Sequence, residues 1–242
     1  MCRVTNLLLI DGSPRARSNT GSIVTYLAGR LKDLRATVDV FHVTSRGPSD
    51  EEVCRLPAII RNCDAVVLAT PVYFDGLPAV THSLLERVAA VSVALSVERS
   101  GTDCVGAAVV GTGGVGPVFY GVVHSGFVEA AQRRSALWTL ELFARAVGWS
   151  WQGGVSFGGT SPIDGRPLEE VGRLATVVRE GLELAAREMI TGGPLSAATL
   201  AACGRSPFAF LPRSVVIRLI NARTRSIVRR NRIDVTALPY AD

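Results

Sequence analysis

VTNLLLIDGSPRARSNTGS, residues 4–22, is the stretch that decides the fold of this chain. Its first part, residues 4–10, is a short apolar run typical of a buried parallel strand. From Ile23 to Leu34 apolar residues recur at helical spacing, and Asn19, Thr20 and Ser22 are candidate N-caps. The polar loop between them therefore lies at the positive end of a helix dipole.

This loop carries the residue types that bind a phosphate group. Backbone amides at a helix start, hydroxyl and amide side chains, and cations all favour an anion. No Gly-Lys-Ser/Thr follows, which excludes a Walker loop, and a single glycine in the turn excludes a dinucleotide fingerprint. An ordinary, well-capped strand-to-helix turn remains the alternative. The candidate phosphate ligands are Ser13, Arg15, Arg17, Ser18, Asn19 and Thr20.

A second loop follows another apolar run in DAVVLATPVYFDG, residues 64–76. Residues 64–70 predict a buried strand, which Pro71 ends because proline lacks the amide hydrogen that a central ladder needs. Tyr73 and Phe74 are either ordinary hydrophobic residues at a strand-to-helix junction or an aromatic surface beside a ligand.

Together, GSPRARSNT and the segment TPVYFDGLPAVTHSLLERV (70–88) resemble the two signatures of the NAD(P)H-dependent FMN reductase family. The resemblance implies a flavodoxin-like fold, FMN as cofactor, NADPH or NADH as reductant, and a homodimer or higher homo-oligomer. It also implies that the second loop packs against the flavin ring, through Pro71, Val72, Tyr73, Phe74 and Gly76.

A third loop, GTGGVGP at 111–117, follows an apolar run that predicts a strand at 104–111. It matches G-x-G-x-x-G formally, but Pro117 interrupts the helix that a dinucleotide site requires. The resemblance implies instead that Thr112, Gly113 and Gly114 approach the flavin from its other side.

Residues 117–126 are expected to continue as a loop. Tyr120 and His124 would then line the substrate pocket and donate a proton or hydrogen bond, unless they merely pack or cap the next helix.

The coarse pattern of the chain alternates strands and helices. Such alternation predicts an α/β fold with a parallel sheet covered on both faces, and the flavodoxin-like strand order is 2-1-3-4-5. We expect residues 1–190 to form this domain. The predicted strands are 4–11, 37–43, 64–70, 104–111 and 150–157, and the predicted helices are 20–35, 50–62, 77–93, 127–147 and 167–190.

Composition narrows the class of protein. The chain has 242 residues, 48% of them hydrophobic, which suffices for one sizeable core. Its apolar runs are too short for a membrane span or a signal peptide, and five scattered cysteines suit a reducing compartment, so we expect a cytoplasmic protein. We expect no metal site, because His42, His82 and His124 lie far apart.

The segment 191–242 holds the chain's basic excess: it has eight arginines and two aspartates, a net charge of +6, whereas the rest carries −1. Residues 214–230 can form a helix. Packing on this subunit or a partner is the favoured interpretation; an anionic membrane or acidic partner is a further one, and nucleic acid is disfavoured because no recognised module accompanies the charge.

The resulting hypothesis is an FMN-dependent oxidoreductase that passes a hydride from NAD(P)H to a small organic acceptor: a quinone, flavin, nitro or azo compound, or a pathway intermediate. The alternatives are a tailoring flavoenzyme acting on one metabolite, a flavodoxin-like electron carrier, and a flavin-free protein that keeps the fold.

Overall fold

The computed structural model describes residues 3–100, 116–232 and 234. Within them, five strands alternate with five helices, and two further helices follow. The strands are β1 (Asn6–Asp11), β2 (Thr37–His42), β3 (Ala65–Pro71), β4 (Val118–His124) and β5 (Ser150–Phe157). The helices are α1 (Asn19–Asp33), α2 (Asp50–Arg61), α3 (Ala79–Ser100), α4 (Ala131–Ala146), α5 (Thr176–Met189), α6 (Ala197–Cys203) and α7 (Arg213–Arg230).

The five strands form one parallel sheet in the order β2-β1-β3-β4-β5, which confirms the predicted fold class. Every residue of β3 is buried, as its unbroken apolar run requires for a central strand. Helices α1 and α5 share one core with the sheet, through Leu27 and Leu182. Helices α2, α3 and α4 share the other, through residues such as Leu84 and Leu140.

The fourth strand differs from the sequence prediction. Val118–His124 lies between β3 and β5, with Ala65 opposite Val118 and Pro71 opposite His124. The loop predicted for 117–126 is therefore wrong over these seven residues. The predicted strand at 104–111 lies outside the described residues.

The helix starts follow their capping residues. The N-cap of α1 is Ser18, so the predicted candidates Asn19, Thr20 and Ser22 are wrong. Ser18 is extended and its side chain accepts a hydrogen bond from the Gly21 amide, so α1 begins one residue later. Ser49 and Glu52 form a reciprocal capping box at the start of α2. The predicted helix at 167–190 begins only at Thr176, because Gly172 has a left-handed φ of 69°.

The chain divides into two compact units, Met1–Pro207 and Phe208–Asp242. Helix α6, which the sequence did not predict, packs on α5 and β5, so the first unit extends beyond the expected boundary at residue 190. The second unit contains α7. None of the helices that the model describes is both long and apolar enough to cross a bilayer.

Candidate flavin site

The carboxyl ends of β1, β3 and β4 bring three loops to one edge of the sheet. The Gly12 amide donates to the Ala69 carbonyl at 2.7 Å, and the Val72 amide donates to the His124 carbonyl at 2.9 Å. The loops that leave the strands at this edge are 12–18, 72–78 and 125–130. Ligands of open α/β sheets bind at such an edge.

Gly12 fixes the first loop against its neighbours. A Cβ there would lie 3.0 Å from the Ala69 carbonyl oxygen and 3.1 Å from Thr81 Oγ1, and Thr81 donates to the Gly12 carbonyl at 2.7 Å. The next residue, Ser13, is buried, and its amide donates to Asp11 Oδ1. Burial raises the pKa of Asp11, while hydrogen bonds from Ser13 and His42 oppose that rise. The loop backbone is thus held in place before any ligand binds.

The N-terminus of α1 presents free amides and cations. The first four amides of a helix lack intrahelical partners. Counted from the N-cap, these are the amides of residues 18–21. That of Gly21 bonds Ser18 Oγ, so those of Ser18, Asn19 and Thr20 are the remaining three. Arg15 and Arg17 are exposed beside them. Chemically, this arrangement suits an anion.

The side chains of Asn19 and Thr20 have other partners. Asn19 bridges two points of the loop after β5: its Nδ2 donates to the Thr160 carbonyl, and its Oδ1 accepts from the Gly165 amide, both at 2.9 Å. Thr20 is buried and bonds His124 Nε2 at 2.8 Å. Of these two residues, therefore, only the backbone amides are left for a ligand.

His124 lies at the end of β4 with both ring nitrogens bonded to threonines. Thr160 Oγ1 donates to the Ser125 carbonyl, so it accepts from His124 Nδ1–H at 3.0 Å. Nε2 is then the acceptor of the Thr20 hydroxyl proton. Burial, and secondarily the charge of Arg133, lower the pKa of His124 to about 4. A neutral imidazole thus ties α1 to the loop after β5.

Tyr120 lies in the interior of β4 and not in a pocket loop. Its side chain is fully buried in the α1/α5 core, and its hydroxyl donates to the Gly193 carbonyl at 2.8 Å. Burial raises the pKa of this phenol. The expectation that Tyr120 lines the substrate pocket is wrong, because the strand directs it into the core.

The second loop forms a tight hairpin turn. Tyr73 and Gly76 exchange two backbone hydrogen bonds, and Phe74 and Asp75 between them have φ values of 48° and 62°. Left-handed φ values in two consecutive non-glycine residues are unusual and mark functional sites more often than chance. Phe74 is fully exposed at the tip, and Tyr73 is 37% exposed. Pro71 and Val72 lead from β3 into this hairpin.

Sequence reasoning missed Arg133, a cation that is 1% exposed. It donates to Ser156 Oγ at 2.6 Å, Ser125 Oγ at 3.2 Å, and the Phe127 and Glu129 carbonyls at 3.2 and 3.0 Å. No carboxylate of the described residues lies within ion-pair distance of it. Among the described residues, the guanidinium of Arg133 therefore bonds only neutral oxygens, and through three of them it holds the loop 125–130 in place. The only sequence signal was an arginine on the inward stripe of a predicted helix.

The described residues also line a half-open pocket of about 350 Å³ beside the phosphate loop. Arg17 and Ser18 line one end, and Asp11, His42 and the segment 165–169 with the outer side of α1 complete it. No residue of 71–76 borders this pocket, so it adjoins the phosphate loop without joining the hairpin.

The predicted ligands Thr112, Gly113 and Gly114 lie outside the described residues. Gly116 and Pro117, which are described, directly precede β4, where the Pro117 carbonyl accepts from the Ser150 amide. The glycine-rich segment thus enters β4, and the loop that leaves this strand is 125–130.

Several solved structures share this fold at low sequence identity. The chain is similar to a flavone reductase (16% identity, TM-score 0.51, 78% of this chain and 66% of that one) and to an NAD(P)H:quinone oxidoreductase from Methanothermobacter marburgensis (16%, 0.55, 78% and 96%). It is also similar to an apo NADH:FMN oxidoreductase (14%, 0.53, 88% and 98%). Among curated proteins, none matches the sequence significantly.

The family itself is shown by sequence. Residues 5–144, more than half of the chain, match the family model described as NADPH-dependent FMN reductase. The match includes the phosphate loop, the hairpin after β3 and the end of β4. The chain therefore belongs to the NADPH-dependent FMN reductase family and is an FMN reductase-like oxidoreductase.

Proposed function

We propose that the protein binds FMN at the carboxyl edge of its sheet and reduces a small organic acceptor with electrons from NADPH or NADH. When bound, FMN would supply the hydride-transfer chemistry between the nicotinamide nucleotide and the acceptor. The observation that supports this proposal most directly is the convergence of the α1 N-terminus with the strained hairpin at one sheet edge.

The phosphate end of the site fits the FMN phosphate group. We assign the Asn19 and Thr20 amides, Arg15, Arg17 and the hydroxyls of Ser13 and Ser18 to it. Charge-assisted hydrogen bonds contribute about 1.5–3 kcal/mol each. The Asn19 and Thr20 side chains act indirectly, since they hold the turn in place through Thr160 and His124.

The ring end of the site is assigned to the hairpin. The backbone after Pro71 and the aromatic groups of Tyr73 and Phe74 offer polar and apolar contacts, respectively, to a planar ring. Gly76 closes the hairpin through its two bonds with Tyr73. We assign the third wall to the loop 125–130, which Arg133 fixes.

His124 is assigned a positioning role in place of proton donation. Its neutral ring, bonded on both nitrogens, has no proton to spare for a substrate near pH 7. Its contribution is to hold Thr20, and with it the first turn of α1, against the end of β4.

A paired affinity measurement tests the phosphate assignment. Arg17→Ala should weaken FMN binding to the apoprotein by about 1–3 kcal/mol, but leave riboflavin, which lacks the phosphate, unaffected. Arg55→Ala, an exposed arginine on α2, is the matched control. Equal effects on FMN and riboflavin, or none on either, would refute the assignment.

Anaerobic reduction tests the activity. Mixing the FMN-loaded protein with NADPH or NADH should bleach the flavin absorbance, and adding quinone, azo or nitro compounds should restore it in proportion to acceptor consumed. If neither nucleotide bleaches the flavin while dithionite does, the protein is a carrier or a substrate-reduced enzyme.

We further propose a homodimer through an apolar surface beside the hairpin. Ser135 donates to the Asp75 carbonyl, which joins α4 to the hairpin. On α4, Trp138 and Leu142 lie one turn apart and are 62% and 46% exposed, so the two side chains form one exposed apolar patch. In sedimentation experiments Trp138→Glu should dissociate the dimer, whereas Leu184→Glu on α5 should not. A monomeric wild-type protein would overturn this proposal.

A further inference from the structure

Helix α7 has a charge distribution unlike that of any other helix described. Its 18 residues, Arg213–Arg230, contain six arginines and no acidic residue. Cations so close together repel one another, and no aspartate or glutamate of the helix itself offsets this repulsion. The helix therefore favours an anionic partner.

The side chains of α7 divide into two faces. At about 100° per residue, Val216, Ile220 and Ile227 fall together with Ile217 and Val228 in an arc of roughly 120°. Arg218, Arg225 and Arg229 lie on the opposite side, Arg223 and Arg230 lie beside the arc, and the positions of Arg213 and Thr224 fall within it. The result is an amphipathic helix with an apolar arc and a basic face.

The apolar arc has little cover. Ile217, Ile220 and Ile227 are 47%, 52% and 47% exposed, and Phe210 in the preceding segment is 62% exposed. Leaving such side chains in water forfeits a large part of the 1.5–3 kcal/mol that burying each would contribute. A binding partner of this helix must therefore cover its apolar side chains and neutralise its arginines at the same time.

We propose that α7 docks on the surface of an anionic lipid bilayer, parallel to the membrane plane. The acyl boundary takes up the apolar arc, and anionic headgroups pair with the arginines, whose aliphatic stems reach from the helix to the headgroup level. A nucleic acid would neutralise the arginines but leave the isoleucines in water. The rest of the chain, with a net charge of −1, does not offer a comparably anionic surface.

Vesicle flotation with the full-length, FMN-loaded protein tests this proposal. Vesicles containing 30% phosphatidylglycerol should carry the protein, vesicles of phosphatidylcholine alone should not, and salt at high concentration should weaken binding. Binding equally well to neutral vesicles, or to neither kind, would overturn it. So would retention of a DNA duplex that outcompetes the anionic vesicles.

Two substitutions at neighbouring positions distinguish binding through the apolar arc from non-specific hydrophobic adsorption. Ile220→Ser lies in the apolar arc and should weaken vesicle binding about tenfold, the equivalent of half-burying one isoleucine. Leu219→Ser removes a similar, 57% exposed side chain outside the arc and should have little effect. Equal losses in both variants would contradict the assigned orientation.

Removing charge gives an independent measurement. Replacing Arg218 and Arg225 with glutamine should weaken binding roughly 25-fold, at about fivefold per arginine near an anionic surface. Unchanged FMN content and thermal midpoint in each variant confirm that the first unit remains folded. Because flotation does not depend on catalysis, failure here leaves the reductase assignment untouched, and the reverse holds as well.

Discussion

Replacing His124 with glutamine should reduce the amount by which the free energy of unfolding falls when the pH is lowered from 7 to 5. The wild-type imidazole is buried and neutral, with its pKa lowered from 6.5 to about 4. Between these two values the unfolded chain binds a proton that the folded protein does not, so stability rises with pH across this window and is lost as pH falls. Glutamine has no such proton.

The magnitude follows from the two pKa values. Lowering the pH from 7 to 5 should cost the wild-type protein about 2 kcal/mol through His124 alone. Asp11 acts in the opposite direction, because its raised pKa favours the folded state as pH falls. It does not contact His124, however, and is present in both proteins, so the difference between them isolates the histidine. The pKa values of three carboxyl groups are lowered, and the stability that these groups contribute is lost mostly below pH 5; they are Glu52, Asp64 and Glu188.

The assay is urea unfolding at pH 5 and pH 7, followed by tryptophan fluorescence, which includes Trp149 just before β5 and Trp151 within it. The glutamine variant should be less stable than the wild type at pH 7, because the ring contacts are lost, yet show a pH dependence smaller by about 2 kcal/mol. His82→Gln, at an exposed position on α3, is the control. The same pH dependence in wild type and variant, or a His124 titration near 6.5 by NMR, would refute the reasoning.

Three further substitutions test other parts of the structure. Tyr120→Phe should lower the free energy of unfolding by about 0.5–1.5 kcal/mol without altering FMN affinity, because its hydroxyl bonds only the Gly193 carbonyl; a changed affinity would return Tyr120 to the site. Phe74→Gly should raise stability by up to about 1 kcal/mol by relieving a left-handed φ, while weakening riboflavin binding, and calorimetry with a riboflavin titration measures both. Asn19→Ala should speed amide exchange at Gly165 and weaken FMN binding, since it frees the loop after β5; protection equal to that of the wild type would contradict this role.

Local patterns in the sequence were sufficient for most of the fold. The apolar run before Asp11 and the helical spacing from Ile23 onward predict one strand–loop–helix unit, although its N-cap is Ser18 and none of the three predicted candidates. Repetition of that unit implies a parallel sheet, and the strand order follows from the resemblance that the two loops carry. These features are predictable because a strand or helix start depends on residues only a few positions apart.

Only the tertiary structure decided what His124 and Tyr120 do. The sequence predicted a strand at 104–111 and a loop at 117–126, yet pairing with Ala65–Pro71 places Val118–His124 in the sheet. Asn19 was expected to face a ligand, but its side chain bonds a carbonyl 141 residues away. The buried cation of Arg133 likewise depends on oxygens from β5 and the loop after β4. Such partners are distant in sequence, so hydropathy and spacing carry no information about them. The sequence predicted two of the three loops at this edge of the sheet, 12–18 and 72–78, and packing determined which of their side chains remain free.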